Sequence, residues 1–171
     1  MRAPGARTLA PWLAVAAVVA VADRMTKVLV QGALAPGERI PVIPFADLVL
    51  VCNPGAAFSF LAGAGGWQRG FFIGVAIAAI GLILWLLVRH ARERLFCAGL
   101  ALVLGGAVGN LWDRIALGCV VDFVLLHAGG WHFPAFNVAD SAITVGAALL
   151  IWDGLFGSRS VEPGKGAKGE G

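Results

Sequence analysis

The chain has 171 residues, of which 59% are hydrophobic and 13% charged, and a formal net charge of +3. A soluble domain carries about a quarter charged residues, so this composition excludes a water-soluble globule and points to a membrane protein that crosses the bilayer several times. The positive balance is no sign of nucleic-acid binding, because most Lys and Arg lie just outside long apolar runs and form no basic stripe interleaved with aromatics.

Arg2 and Arg7 precede the uncharged run Thr8 to Ala22. Continued through Asp23 to Lys27, it reaches the roughly 20 residues needed to cross a bilayer, giving a first span at about 8–28. The same stretch imitates a cleavable signal peptide, with Ala20-Val21-Ala22 as its cleavage site. Retention is the expectation, because Asp23 and Lys27, four apart, pair on one helical face only if the helix persists.

Next, Glu38 to Phe60 mixes prolines with β-branched residues, and a small β element is expected at about 38–60. Two further uncharged runs give spans at about 70–88 and 95–112, joined by the basic loop Arg89 to Arg94. Gly105-Gly106-Ala107-Val108-Gly109 puts small residues at three- and four-residue spacing, which lets a neighbouring helix approach closely. Asn110 and Arg114 follow on the same side. Phe123 to Phe136 is apolar but broken by Gly129-Gly130 and Pro134, and is expected to lie in the membrane interface. A fourth span covers about 140–156, and 158–171 is a polar, Gly- and Lys-rich tail expected to be disordered.

These elements predict an all-α membrane protein: one domain, 1–157, of four transmembrane helices with a small extracytoplasmic β element and an interfacial segment. Arg2, Arg7, the arginines of the 89–94 loop, Arg159, Lys165 and Lys168 all fall on one side of it, which the positive-inside rule makes cytoplasmic. Both termini are then inside, and 31–69 and 113–139 face outward. Cys52, Cys97 and Cys119 have neither an even count nor a CxxC spacing, and are read as small apolar fillers. His90, His127 and His132 lack ligand partners at metal-site spacing, so no metal is expected.

With this topology Asp23 and Lys27, Asn53 to Ser59, Asn110 to Arg114, Asp122, and Asn137 to Asp140 all fall toward the outer face. Ionisable groups in lipid are costly, so several at one depth argue for a shared polar cavity. Asp122 and Asp140 are 18 residues apart. The glycines and Pro134 forbid one continuous helix, and a chain that turns back into the fourth span can bring the two carboxyl groups face to face. Two such groups share a proton, so one can activate water while the other protonates a carbonyl. The plainer readings are that Asp140 caps a helix and that Asp122 pairs with Arg114. A proton-relaying transporter component is the alternative function, and a Ser59 or Ser141 nucleophile with Lys27 as base is disfavoured because Asp23 keeps Lys27 charged.

Five segments together resemble the lipoprotein signal peptidase family, also called signal peptidase II. They are Asp23-Arg24-Met25-Thr26-Lys27, Asn53 to Ser59, Gly105 to Arg114, Val120-Val121-Asp122-Phe123, and Phe133 to Asp140. The resemblance implies an aspartic endopeptidase of the bacterial inner membrane, with Asp122 and Asp140 catalytic. It implies that Asn53, Asn110, Arg114 and Asn137 line or brace the substrate site, and that Asp23 and Lys27 are structural supports. The implied substrate is a prolipoprotein whose cysteine carries diacylglycerol, cut just before that cysteine. No cofactor is implied, and membrane lipids are the other expected partners of a monomer.

Overall fold

The structure is a computed structural model that describes residues 6–55 and 66–156. The expected tail at 158–171, residues 56–60 of the expected β element, Ser59, Arg2, Arg159, Lys165 and Lys168 lie outside the described residues. The elements are α1 (Ala6–Ala33), β1 (Arg39–Ile43), β2 (Ala46–Asn53), α2 (Trp67–Arg89), α3 (Arg94–Ala116), β3 (Val120–Ala128), β4 (Trp131–His132) and α4 (Val138–Phe156).

Helices α2, α3 and α4 are long and apolar enough to cross a membrane, with mean hydropathies of 2.8, 1.8 and 1.4. The 28-residue α1 is longer still but carries Asp23, Arg24 and Lys27 in its second half. On α2 the large side chains Phe71, Val75, Ile77, Leu82 and Trp85 are exposed, as suits a surface whose solvent is hydrocarbon. Helix α3 is the hub and packs against each of the other three.

Close backbone approach explains that central place. A Cβ added at Gly106 would lie 2.4 Å from the Ala139 carbonyl oxygen, and one at Gly99 would lie 2.9 Å from that of Gly146. On the other side of α3, a Cβ at Gly105 would meet the Ala16 carbonyl at 2.6 Å and one at Gly109 the Asp23 carboxylate at 2.5 Å. Two glycine stripes thus seat α3 against α4 and against α1, backbone on backbone at Gly99, Gly105 and Gly106 and on the Asp23 side chain at Gly109. On α1 the buried residues Ala16, Asp23, Lys27 and Val30 follow helical spacing, and Leu34 lies just past its end, so one face carries ionisable groups between apolar packing on either side.

The strands form one antiparallel sheet in the order β1-β2-β3-β4. Here the structure corrects the sequence reading in one respect, the β structure of 123–136, which that reading placed outside the β element. The segment expected to lie in the interface holds most of β3, the strand between β2 and β4, and the hairpin with β4. Gly129 and Gly130, read as breakers, form the two-residue turn of that hairpin, with φ of 54° and 87°. Two consecutive positive φ values are what a tight hairpin turn requires, and glycine supplies them without strain. Phe123 joins Val30 and Leu34 in a buried cluster that fastens the sheet to the end of α1.

A second correction concerns the cysteines. Cys97 is buried and free, but Cys52 and Cys119 are joined in a disulfide with a Cα–Cα distance of 5.5 Å. They are 67 residues apart, and only the pairing of β2 with β3 makes them neighbours.

Candidate active site

The polar residues picked from the sequence meet where the sheet covers the ends of α1, α3 and α4. Asp122 is the third residue of β3 and is 3% exposed. Both of its oxygens accept amide hydrogens: Asn53 Nδ2 donates to Oδ2 at 3.1 Å and Asn137 Nδ2 to Oδ1 at 2.7 Å. Burial raises its pKa to about 7, the negative charge of Asp140 adds to the rise, and the two asparagines and Lys27 partly offset it.

Asp140 lies in the first turn of α4, half-buried, and its Oδ1 accepts from Asn110 Nδ2 at 2.8 Å. It is not the helix cap. Asn137 takes that role, its Oδ1 accepting the Asp140 N–H at 2.9 Å, and Asp23 Oδ1 accepts the neighbouring Ala139 N–H at 2.8 Å from α1. The start of α4 is therefore held by side chains from two places in the chain. Asn137 uses its amide oxygen to cap α4 and its amide nitrogen to bind Asp122, so one side chain links the mounts of both carboxyl groups.

The orientation of Asn110 follows from Lys27. An ammonium can only donate, and Lys27 Nζ lies 3.0 Å from Asn110 Oδ1, so the amide nitrogen of Asn110 is turned toward Asp140. Lys27 is fully buried between Asp23 at 2.7 Å and Asp113 at 2.8 Å. Arg24 lies 3.5 Å from the other Asp113 oxygen, and the Val121 N–H donates to Asp113 Oδ2 at 3.1 Å. Two acids and two bases balance one another beneath the site. Asp113 was not singled out from the sequence, though its place between Trp112 and Arg114, just past the uncharged run Leu95 to Trp112, was the available signal.

Arg114, in the last turn of α3, donates to the carbonyls of Asn110 and Gly55, each at 3.2 Å, and stands over the Phe72 ring at 5.3 Å. Its Nε is buried without an acceptor among the described residues. Its hydrogen bonds thus go to backbone oxygens and not to Asp122. Ser141 Oγ donates to the Asn137 carbonyl, and Lys27 is held by two carboxylates, so neither fits a serine–lysine pair. Beside Asp140 a mostly apolar groove of about 360 Å³ opens between the β3–β4 hairpin and α4, lined by Leu126, Phe133, Phe136, Thr144 and Val145.

The family model for signal peptidase (SPase) II matches residues 15–156. The chain belongs to the signal peptidase II family. The lipoprotein signal peptidase of Paraburkholderia phymatum is 54% identical over 152 residues, 89% of this chain and 92% of that protein. That of Ralstonia nicotianae is 52% identical over 151 residues, 88% and 87% of the two chains. A bacterial membrane enzyme solved in meso at 2.3 Å superposes with a TM-score of 0.78 and 30% identity, covering 94% of this chain and 96% of its own. As a signal peptidase II with several apolar helices, the chain is a multi-pass bacterial membrane protein and a hydrolase of the aspartic protease type.

Proposed function

We propose that this signal peptidase II removes the signal peptide of diacylglyceryl-modified prolipoproteins, cutting just before the lipidated cysteine, with Asp122 and Asp140 as its dyad. The observation that carries the reading is the pair of carboxyl groups, each gripped by asparagine N–H donors, beside an apolar groove. With its pKa near 7, Asp122 is the acid at neutral pH and Asp140 the base. Asp140 takes a proton from a water molecule, whose oxygen attacks the scissile carbonyl carbon, while Asp122 gives its proton to the carbonyl oxygen. Collapse of the tetrahedral intermediate breaks the C–N bond, the proton on Asp140 leaves with the new amine, and a hydroxyl of the intermediate returns a proton to Asp122. Asn53, Asn110 and Asn137 brace the dyad, and Asp23 with Lys27 supports it from below.

Four spans, α1 included, carry the site toward the outer face with both termini in the cytoplasm. The fourth span rests on the length of α1 and on its apolar first half; the orientation rests on the arginines of the 89–94 loop. Residues 1–157 make up the peptidase domain, and 158–171 a cytoplasmic tail. The enzyme acts as a monomer among membrane lipids, which hold the acyl chains of the substrate beside the groove.

The test is cleavage of two peptides of one sequence, with and without diacylglycerol on the cysteine. The lipidated peptide is expected to be cut and the other to be cut far more slowly; equal rates would remove the lipid from the recognition scheme. Arg114→Lys is expected to lower turnover by about tenfold or more while purified yield stays near wild type. An ammonium cannot reproduce the planar fork that reaches two carbonyls and leaves Nε over for a substrate oxygen. Full activity in that variant would make Arg114 a boundary residue only.

A further inference from the structure

The disulfide lies at the end of β2 that feeds the site. Cys52 is exposed and Cys119, just before β3, is buried. From Cys52 the chain passes directly to Asn53, whose Nδ2 donates to Asp122 Oδ2 and whose Oδ1 accepts the Gly55 N–H at 3.0 Å. The Gly55 carbonyl then accepts from Arg114. Three consecutive positions beyond the sulfur bridge therefore hold two of the site's polar groups.

Backbone pairing at this end is confined to three positions, Val51, Cys52 and Asn53. The β2–β3 register slips between Leu48 and Val51, and the paired positions end at Asn53 opposite Val120. The bridge joins β2 to the turn that leaves α3, the helix carrying Asn110 and Arg114. Neither cysteine belongs to the five segments that carry the family resemblance.

We propose that the Cys52–Cys119 disulfide is a redox-responsive clamp that seats Asn53 on Asp122, tying peptidase turnover to the thiol–disulfide state of the compartment facing the sheet. The inference rests on the dyad reading above. The bond forms by exchange with a protein or small-molecule disulfide. One cysteine thiolate attacks that oxidant to give a mixed disulfide, and the second displaces it, so that two thiols lose two protons and two electrons and the oxidant leaves as a dithiol. A dithiol reductant reverses both steps, and exposed Cys52 is the sulfur it reaches first.

The experiment uses the purified full chain, oxidised or treated with dithiothreitol. Alkylation after denaturation is expected to label one thiol, Cys97, in the oxidised protein and three in the reduced one. Reduction is expected to lower kcat on a diacylated peptide by roughly tenfold, the scale of one hydrogen bond to a carboxyl group, with KM little changed and reoxidation restoring the rate. It should also move the alkaline limb of the kcat profile to higher pH, because the Asn53 N–H favours ionised Asp122. The charged groups facing Asp122 are Asp140 from α4, Lys27 from α1 and Arg114 from α3, and of these only Arg114 bonds to the segment beyond the bridge.

Cys52→Ser/Cys119→Ser should match the reduced enzyme and ignore dithiothreitol. If that variant fails to fold, reversible reduction of the wild type carries the test alone. Three reactive thiols in protein extracted without reductant, or an unchanged rate and limb after the bond opens, would overturn the clamp. An oxidised enzyme that cuts no diacylated peptide would instead sink the proposed function.

Discussion

Asp122→Asn and Asp140→Asn are each expected to lower cleavage of a diacylated peptide by about 10³-fold or more, while the protein still folds and binds the peptide. Asparagine nearly matches aspartate in shape and keeps one acceptor, enough for Asn110 at position 140 and for one of Asn53 and Asn137 at position 122, but it can neither take a proton from water nor deliver one. On the proposed mechanism the two groups act as one unit, so the double variant should be hardly slower than either single one. The wild-type rate carries a further signature. The Asp122 carboxyl, with its pKa raised to about 7, holds its proton below that pH and loses it above, so kcat should fall as pH rises through the neutral range. Near-normal turnover in either single variant would return that aspartate to a structural role.

Lys27→Met is expected to cost about 3–5 kcal/mol of stability, enough to remove most folded protein from the membrane fraction. Methionine fills the space of the lysine stem, so the loss is electrostatic: Asp23 and Asp113 remain buried near one another, with Arg24 3.5 Å from Asp113 as the remaining cation. Asn110 also loses the donor that turns its amide nitrogen toward Asp140. The unfolding midpoint of detergent-extracted protein measures this. A variant as stable as the wild type would show that the buried charges are not what holds α1 against α3.

The sequence disclosed what is local and left dark what is not. Uncharged runs delimited α2, α3 and α4 to within a few residues, and the spacing of Gly105 and Gly109 announced a close helix contact whose partner, α1, it could not name. Asp23 and Lys27 were legible as a pair because four residues on a helix make them neighbours; Asp113, their third partner, comes from another helix and left no such trace. The strand β3 was hidden for a similar reason. Its valines suit a strand, but Gly129-Gly130 reads equally well as a break or a hairpin turn, and only pairing with β2 decides between them. The same pairing creates the Cys52–Cys119 bond, which no spacing rule can find at a separation of 67 residues. The capping of α4 by Asp23 from 116 residues away is non-local in the same way.

The glycine stripes of α3 have one more consequence. Where Gly99, Gly106 and Gly146 bring backbones into contact, no layer of side chains can re-sort to let α3 and α4 slide, so Asp140 sits at a fixed height along the bundle. A substrate anchored by its lipid is then measured rather than read. An extended peptide advances about 3.3 Å per residue, so inserting a single residue between the anchor and the scissile bond would carry that bond past the dyad by the length of a hydrogen bond. On the proposed function the bundle would act as a gauge of distance from the membrane, with tolerance of varied sequence on the signal-peptide side as its natural counterpart.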